Sequence, residues 1–439
     1  MSSKRLATNN NQLPEGYKKT EIGVIPDDWE VVLLDSVAKR GSGHTPDKKH
    51  PEYWNGNIKW ISLKDSDRLD VPYIDDTADK TTPLGIANSS AVVHPAGTVI
   101  LSRDAGVGKS AIMRNEMAVS QHFIAWQCST QLENHFLYYW LQVRKPEFER
   151  IAIGNTIKTI GLPYFKHLKI PFPPKKEEQK AIAQTLSDVD ALIDELDKHI
   201  AKKRNIKTGT MQQLLTGKTR LPGLGEGKGY KKSAIGLIPE DWDVVRLGFY
   251  VDINSGESPS KFALLDQGTP YFKVEQLNND SKYLKTTPYY FRARKTIPAG
   301  SLIFPKRGAS ILLNKVRILA QDSFMDTNLM TLTTSNELEN EYLYYFIDYA
   351  GLSKVADTTS IPQINNKHIV PFLIPFPNPK EQKAIAQVLS DIDTEITALE
   401  KRRAKTQAIK QGMMQELLTG RTRLKIEHPD DPITKNSNG

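Results

Sequence analysis

The amino-acid sequence contains the same framework twice. The 19 residues from Gly16 to Leu34 return from Gly229 to Leu247 with 13 identities, at an offset of 213. Lys180 to Asp190 returns as Lys383 to Asp393 at an offset of 203. The second copy has therefore lost ten residues between these matches, the difference between the two offsets. A repeat of this length predicts two copies of one structural unit.

The two copies agree at their ends and differ in their interiors. Residues 132–140, LENHFLYYW, resemble LENEYLYYF at 338–346, and Pro-Ala-Gly occurs at both 95–97 and 298–300. Most of the remaining interior shows no such likeness. A shared framework around unlike interiors suggests two copies of one recognition device, each directed at a different object.

Each copy ends in a segment with the apolar spacing of a coiled-coil helix. Apolar residues recur at steps of four and three, the heptad pattern, and we expect them to pack the two helices together: Ile182, Leu186, Val189, Ile193, Leu196 and Ile200 in the first, and Ile385, Leu389, Ile392, Ile396 and Leu399 in the second. Asn378 and Pro379 predict the start of the second helix. Gly217 and Gly420 predict the two helix ends.

Both predicted helices contain an interior glycine at the same place in the repeat, Gly209 and Gly412. Glycine inside a helix costs about 1 kcal/mol relative to alanine. Because this cost occurs twice at one position, we favour a close approach of the two helix backbones there. A glycine tolerated near a fraying end is the alternative.

The rest of each copy has the pattern of a mainly β domain. Short apolar or alternating runs, such as 58–63 and 301–304, are interrupted by Gly, Pro, Asn and Asp. Short helices are expected around Leu137 and Leu343. The predicted fold class is α+β, with each domain followed by a long helix.

Composition limits the classes of function. At 439 residues the chain is too long to fold around a single hydrophobic core. Its 59 basic against 51 acidic residues, a net charge of +8, favour a polyanionic partner. The single cysteine, Cys128, excludes a disulfide framework. Without an apolar run of 18 residues or an apolar leader, we expect a cytoplasmic protein that does not bind membranes.

Motifs for catalysis are incomplete. AGVGKS at 105–110 resembles a phosphate-binding loop, but Arg103 stands where the first glycine of that motif is needed. No Asn/Asp-Pro-Pro-aromatic segment for base methylation occurs. The nine histidines and Cys128 show no metal-ligand spacing. We therefore expect no catalytic residues and no metal site.

The doubled order of parts resembles the specificity subunits of type I restriction-modification systems over nearly the whole chain. The parts are Ile-Pro-x-Asp/Glu-Trp at 25–29 and 238–242, Pro-Ala-Gly before a strand, and Ile-Pro-Phe-Pro at 170–173 and 374–377 leading into Glu-Gln-Lys. The first copy has the loop Gly43-His44-Thr45-Pro46. The second has Gly256-Glu257-Ser258-Pro259 in its place, which is a departure from the family pattern.

The resemblance implies two target recognition domains held apart by an antiparallel coiled coil of the two helices, with pseudo-twofold symmetry. The expected boundaries are an N-terminal tail at 1–15, target recognition domain 1 at 16–174, helical spacer 1 at 175–217, a linker at 218–228, target recognition domain 2 at 229–377, helical spacer 2 at 378–420 and a C-terminal tail at 421–439.

The resemblance also implies a bipartite site in double-stranded DNA, and partnership with modification and restriction subunits. S-adenosylmethionine, ATP and Mg would belong to those partners, with no cofactor in this chain. Polar residues on loops after strands are our candidates for DNA contact, because such side chains bind base edges and phosphates: Arg103, Lys109, Lys158, Lys306, Arg307 and Gln363.

Two alternatives remain open. One is a solitary DNA methyltransferase or nuclease that carries its own recognition domains. The other is a scaffold that does not bind DNA and acts through its helices alone. Binding of S-adenosylmethionine by the isolated chain would favour the first, and failure to bind DNA with or without modification subunits would favour the second.

Overall fold

The computed structural model describes residues 13–154, 158–225, 228–261, 263–279, 281–292, 295–357 and 361–425. These residues form two compact units. The first unit lies within Met1–Glu195 and Arg402–Gly439, and the second comprises Leu196–Lys401. The division falls inside both long helices, so each unit contains part of each helix.

Within the residues that the structure describes, the first unit contains thirteen strands and part of each long helix. In chain order they are β1 (Tyr17–Thr20), β2 (Gly23–Pro26), β3 (Glu30–Leu33), α1 (Leu34–Val37), β4 (Ala38–Ser42), β5 (Trp54–Ile61), β6 (Tyr73–Ile74), β7 (Asp79–Thr81), α2 (Pro83–Ala87), β8 (Val93–His94), β9 (Val99–Ser102), β10 (Ser110–Met113), β11 (Met117–Val119), β12 (Phe123–Cys128), α3 (Asn134–Ile151), α4 (Leu162–Lys166), β13 (Lys169–Phe172) and α5 (Lys176–Leu214).

Two sheets form the centre of the first unit. One has five strands in the order β4-β12-β9-β10-β6, and the other has four in the order β7-β5-β11-β8. Strands β9 to β12 are almost wholly buried because their residues are apolar on both faces. Helix α3 packs its aromatic face, Phe136 to Trp140, into the same core.

The second unit has a similar order of elements. They are β14 (Tyr230–Ser233), β15 (Gly236–Pro239), β16 (Asp243–Arg246), β17 (Val251–Ser255), β18 (Leu264–Leu265), β19 (Thr269–Phe272), β20 (Tyr283–Leu284), β21 (Tyr290–Phe291), β22 (Leu302–Pro305), β23 (Arg317–Leu319), β24 (Phe324–Met325), β25 (Leu329–Thr334), α6 (Asn340–Ala350), α7 (Asn366–Ile369), β26 (Leu373–Phe376) and α8 (Pro379–Leu417).

The second unit also has a five-stranded sheet, β17-β25-β22-β23-β20, and a four-stranded one, β18-β21-β19-β24. The helices expected around Leu137 and Leu343 are α3 and α6. Tyr73 of β6 pairs with β10 in the first unit, and Tyr283 of β20 pairs with β23 in the second. These two tyrosines therefore correspond, and the offset between the copies is 210 at this point. The offset is 203 at Pro95 and Pro298. Seven residues are therefore missing from the second unit where the first unit has α2.

Within each unit, charged residues join the two long helices. In the second unit Lys207 Nζ lies 2.7 Å from Asp393 Oδ1, and Arg204 bonds Glu400 at 2.7 Å. Rising residue numbers on α5 meet falling numbers on α8, so the two segments run antiparallel. In the first unit Lys410 pairs with Asp190, which is the same contact 203 residues along the repeat.

The predicted seam residues lie on the inner side of these helices. Eight of the eleven are buried, and the other three, Val189, Ile392 and Leu399, are half-buried.

The interior glycines Gly209 and Gly412 do not lie where the two helix backbones approach each other. A Cβ placed on either glycine would meet no atom within 4 Å. The expected close backbone approach is therefore wrong, because both glycines face open space on the exposed side of their helix.

Each unit is closed by an arginine that follows a long helix. In the second unit Arg220 donates to Glu381 at 2.6 and 2.7 Å and to Asp241 at 2.8 and 3.0 Å. In the first unit Arg423 donates to Glu178 at 2.6 and 2.9 Å. Arg423 also binds Asp28 at 2.7 and 3.0 Å. Thus the residues after one helix fasten the start of the other.

Trp29 and Trp242 lie beneath these arginines and are wholly buried. Trp60 is buried as well, whereas Trp54 is half-buried. These tryptophans therefore belong mainly to the cores, as their residue type favours. Among the described helices, none is long and apolar enough to cross a membrane.

Candidate nucleic-acid interface

Three connections meet at one end of the five-stranded sheet in the first unit. Ser102 at the end of β9 pairs with Phe123 at the start of β12, and Ser110 at the start of β10 pairs with Leu101. The loop 103–109 and the turn 120–122 therefore lie side by side. The segment 158–160 joins them, since the Ile160 amide donates to the Arg103 carbonyl at 3.0 Å. We call these three segments surface 1.

The loop of Gly43-His44-Thr45-Pro46 packs onto surface 1. A Cβ on Gly43 would lie 1.7 Å from the Val119 carbonyl oxygen, so only glycine allows this approach. Thr45 Oγ1 then donates to Gln121 Oε1 at 2.6 Å. In the second unit Gly256 has the same role, because a Cβ there would lie 2.0 Å from the Asp326 carbonyl oxygen. The departure from the family pattern after Gly256 leaves this contact intact.

Arg103 lies at the centre of surface 1. Its Nε donates to the Gln121 carbonyl and its Nη1 to the Ile160 carbonyl, both at 3.1 Å. Its side chain is only 17% exposed. In this structure the guanidinium ties the three segments of surface 1 together. Contact of Arg103 with DNA stays a prediction. Such a contact would use the guanidinium N–H groups that do not donate to the Gln121 and Ile160 carbonyls.

Lys109 and Lys158 line one pocket of surface 1, with a volume of about 410 Å³. The remaining lining residues are Ala105, Gly106, Val107, Lys145 and Glu149. Lys109 Nζ donates to the Ser66 carbonyl at 2.9 Å, whereas Lys158 is exposed. Lys145 pairs with Asp70. Lys109 Nζ also lies 3.7 Å from Asp67 Oδ1, so the exposed Lys158 is the lysine of this pocket that is best placed to meet a phosphate.

Sequence reasoning missed a histidine on surface 1. His122 Nδ1 lies 2.6 Å from Asp104 Oδ2, and the Asp104 side chain is 8% exposed. The other oxygen of Asp104 is buried without a hydrogen-bond partner. A bond from Nδ1–H to Asp104 fixes the ring and leaves Nε2 for an outside partner. His122 is 32% exposed, so it can present that nitrogen to a base edge or a phosphate.

The second unit forms the same arrangement, which we call surface 2. It consists of loop 306–316, turn 326–328 and segment 361–364. The Lys306 amide donates to the Asn328 carbonyl at 2.8 Å, as the Arg103 amide does to the His122 carbonyl at 2.9 Å. The Ile364 amide donates to the Lys306 carbonyl at 2.9 Å, matching the bond from Ile160 to Arg103.

Lys306, Arg307 and Gln363 all lie on surface 2, where Arg307 and Gln363 face each other across an antiparallel bridge. Arg307 is exposed, and Lys306 and Gln363 are half-buried. Burial and the neighbouring Arg307 lower the pKa of the Lys306 ammonium. The predicted residues of each unit therefore come together on one surface. Whether they contact DNA stays a prediction.

Asn328 occupies in surface 2 the place that His122 has in surface 1. Both lie in a polar turn directly before a buried strand, β12 or β25. That position in the repeat is the signal that could have identified them. The pairing with loops 103–109 and 306–316, however, depends on strand order, which no local pattern reveals.

Other chemistry has little support in the described part of the chain. Within it, no group of three or more His, Cys, Asp or Glu residues is arranged to hold a metal ion. Burial raises the pKa of the Cys128 thiol to about 12, so this cysteine is protonated near neutral pH and is a poor nucleophile.

Comparison with known proteins identifies the same repeat. A family model described as the type I restriction modification DNA specificity domain matches residues 26–205 and again 239–411. Two specificity subunits of type I restriction enzymes from Methanocaldococcus jannaschii are similar to this chain. MjaVIII is 27% identical over 427 residues and MjaX 30% over 428, in each case covering 94% of this chain and 97% of the relative.

Solved structures share the fold. The crystal structure of a type I restriction-modification S subunit from M. genitalium superposes with a TM-score of 0.54 at 18% identity, over 96% of this chain and 99% of that one. A chain from a structural study of assembly and conformational transition in a type I system gives 0.59 at 19% identity, over 91% and 99%. The expected α+β architecture, with two repeated domains that each lead into a long helix, is confirmed.

Proposed function

This chain belongs to the family of type I restriction-modification specificity subunits, and we propose that surface 1 and surface 2 each recognise one half of a bipartite DNA target. Specificity subunits of this family bind DNA and assemble with other subunits. Family membership also confirms that the chain is a recognition subunit rather than an enzyme, and it disfavours the solitary enzyme and the DNA-independent scaffold.

One observation carries the assignment of the two surfaces. The same backbone hydrogen bonds build both surfaces, yet the side chains that they display differ. Surface 1 presents Arg103, His122 and Lys158, whereas the corresponding places in surface 2 hold Lys306, Asn328 and Pro362. A constant frame with variable side chains is what two DNA half-sites of different sequence require, because base edges are distinguished by donor and acceptor patterns.

Phosphate contacts supply affinity and base contacts supply specificity. Lys109, Lys145 and Lys158 line one pocket of surface 1, and we assign this pocket to the DNA backbone because the exposed Lys158 can meet a phosphate there. Arg307 and Gln363 have the side chains that bind guanine and adenine edges. Their neighbouring places on surface 2 make them the candidates for base recognition there.

We also propose where the partner subunits bind. The exposed faces of α5 and α8 are the surfaces on which modification subunits would dock, since the apolar seam is used within each unit. Restriction subunits would join the complex formed in this way. S-adenosylmethionine, ATP and Mg would be bound by those partners.

A domain exchange tests the proposed function. Residues 30–170 would be replaced by the matching segment of another specificity subunit, and the methylation pattern of the host genome would be sequenced. We expect a new first half-site beside the old second one, with the modification subunits still co-purifying. Retention of both old half-sites, or a change in both, would contradict separate recognition by the two units.

A further inference from the structure

Loop 306–316 of surface 2 is longer than its counterpart in surface 1. The offset between the copies is 203 at Ser102 and Pro305, before the loop, and 206 at Ile112 and Ile318, after it. The second unit therefore has three additional residues here, although it is the shorter copy. The additional length includes two adjacent exposed leucines, Leu312 at 57% and Leu313 at 65%.

Both sides of this leucine pair are anchored. Ile311 is wholly buried in the core of the second unit. Asn314 donates from Nδ2 to the Asp348 carbonyl and accepts at Oδ1 from the Leu352 amide, both at 2.9 Å. The leucines are therefore held outward by the fold, which lowers the entropy cost of contact with a partner. Single exposed leucines are ordinary, but an adjacent pair held outward in this way is informative.

The surrounding charge identifies the class of partner. Loop 306–316 contains Lys306, Arg307 and Lys315 and no acidic residue. The Gly308 amide donates to the Pro362 carbonyl at 2.9 Å, which places the loop beside Gln363. The carboxylate beside the tip is Asp348, 3.2 Å from Asn314 Nδ2, and it lies 3.9 Å from Lys207 Nζ. A cationic loop with an apolar tip suits DNA, because the cations attract phosphates while the tip requires an apolar group on a base.

We propose that Leu312 and Leu313 contact the 5-methyl group of thymine in the second half-site. This inference rests on the proposed function of surface 2. The thymine methyl is the apolar group that base edges display in the major groove. The matching segment of surface 1, residues 103–110, exposes no large apolar side chain, and its valine, Val107, is buried. We therefore assign the leucine contact to the second half-site.

The test uses the specificity subunit assembled with its modification subunits. The DNA contains the target sequence identified from the methylation pattern of the host genome. Each thymine of the second half-site is replaced in turn by deoxyuridine, which lacks only the methyl group. Burial of one methyl contributes about 0.8 kcal/mol, so wild type should bind about fourfold more weakly when a contacted thymine is replaced. Thymine replacement should have no such effect on a double variant, Leu312→Ala with Leu313→Ala.

Leu237→Ala is the matched control, since Leu237 is 62% exposed in the same unit but lies in β15, away from surface 2. It should keep the fourfold preference. Equal binding of wild type to thymine and uracil at every position, or a second half-site without thymine, would overturn the proposal. So would a double variant that binds DNA normally but no longer assembles, because the tip would then contact a protein subunit.

Variants of Arg307 and Gln363 distinguish failure of the leucine contact from failure of the proposed function of surface 2. If Arg307→Ala and Gln363→Ala leave recognition of the second half-site unchanged, surface 2 does not bind DNA at all. If those two variants alter it while the leucine variant still distinguishes thymine from uracil, only the leucine contact is wrong.

Discussion

Removal of Arg220 should destabilise the second unit strongly. Its guanidinium makes four hydrogen bonds to Glu381 and Asp241, and the side chains of Arg220 and Glu381 are only 12% and 1% exposed. Arg220→Ala would leave the Glu381 carboxylate buried without its charge partner. The Trp242 indole N–H, which donates to Glu381 Oε2 at 3.0 Å, would remain. Loss of one partner of a buried ion pair costs about 3 to 5 kcal/mol.

The equivalent change in the first unit should cost less. Arg423 is 36% exposed and its partner Asp28 is 58% exposed, so water replaces part of what is lost. Glu178, at 2% exposed, still loses its charge partner. We therefore expect Arg423→Ala to destabilise the first unit in the same direction but by a smaller amount than Arg220→Ala destabilises the second.

Hydrogen exchange measured by mass spectrometry is the suitable assay, because the two units need not unfold together. Arg220→Ala should accelerate exchange in residues 229–247, and Arg423→Ala in residues 16–34. Adding Glu381→Gln to Arg220→Ala should recover much of the loss, since a neutral amide is cheaper to bury than an unpaired carboxylate. A cost below about 1 kcal/mol for Arg220→Ala, or no recovery in the double variant, would refute the buried-charge argument.

Three further measurements address other parts of the molecule. Hydrogen bonds from Arg220 lower the pKa of Asp241, and those from Arg423 lower the pKa of Asp28. Each ionised carboxylate therefore stabilises the folded state at pH values above its unfolded pKa of about 3.9, and this contribution is lost as pH falls through the lower folded pKa. Acid titration followed by circular dichroism should therefore lower the stability of wild type more than that of Arg220→Ala, and an equal decline would exclude the linkage. His122→Ala should weaken binding to the first half-site by about 1 to 3 kcal/mol, with Asn328→Ala acting only on the second; competition assays with DNA altered in one half-site would show whether either variant affects the wrong half. Gly209→Ala and Gly412→Ala should each stabilise the chain by up to about 1 kcal/mol, because the added methyl meets open space; a loss in thermal unfolding experiments would mean that the glycines serve the folded chain in another way.

Much of the organisation could be predicted from local sequence. The heptad spacing identified α5 and α8 because a helix places every third and fourth residue on one face. The repeated Ile-Pro-x-Asp/Glu-Trp and Glu-Gln-Lys segments located both copies. The candidates for DNA contact followed from their positions just after apolar strands, and the structure places all six on surfaces 1 and 2.

The close approach expected at Gly209 and Gly412 was wrong because glycine has two uses that look alike in a sequence. It permits a tight contact, as at Gly43 and Gly256, or it lies on an open helix face. Only the positions of neighbouring atoms distinguish the two.

The sequence by itself determined the duplication, the long helices and the mainly β character of each domain, since these depend on periodicity and on residues near one another in the chain. The tertiary structure decided which loops meet. His122 joins Asp104, and Arg307 faces Gln363, through pairings of strands that are distant in sequence. It also decided that Arg220 and Arg423 close their units on Glu381 and Glu178. Such contacts depend on how the sheets and helices pack, and no local pattern records that packing.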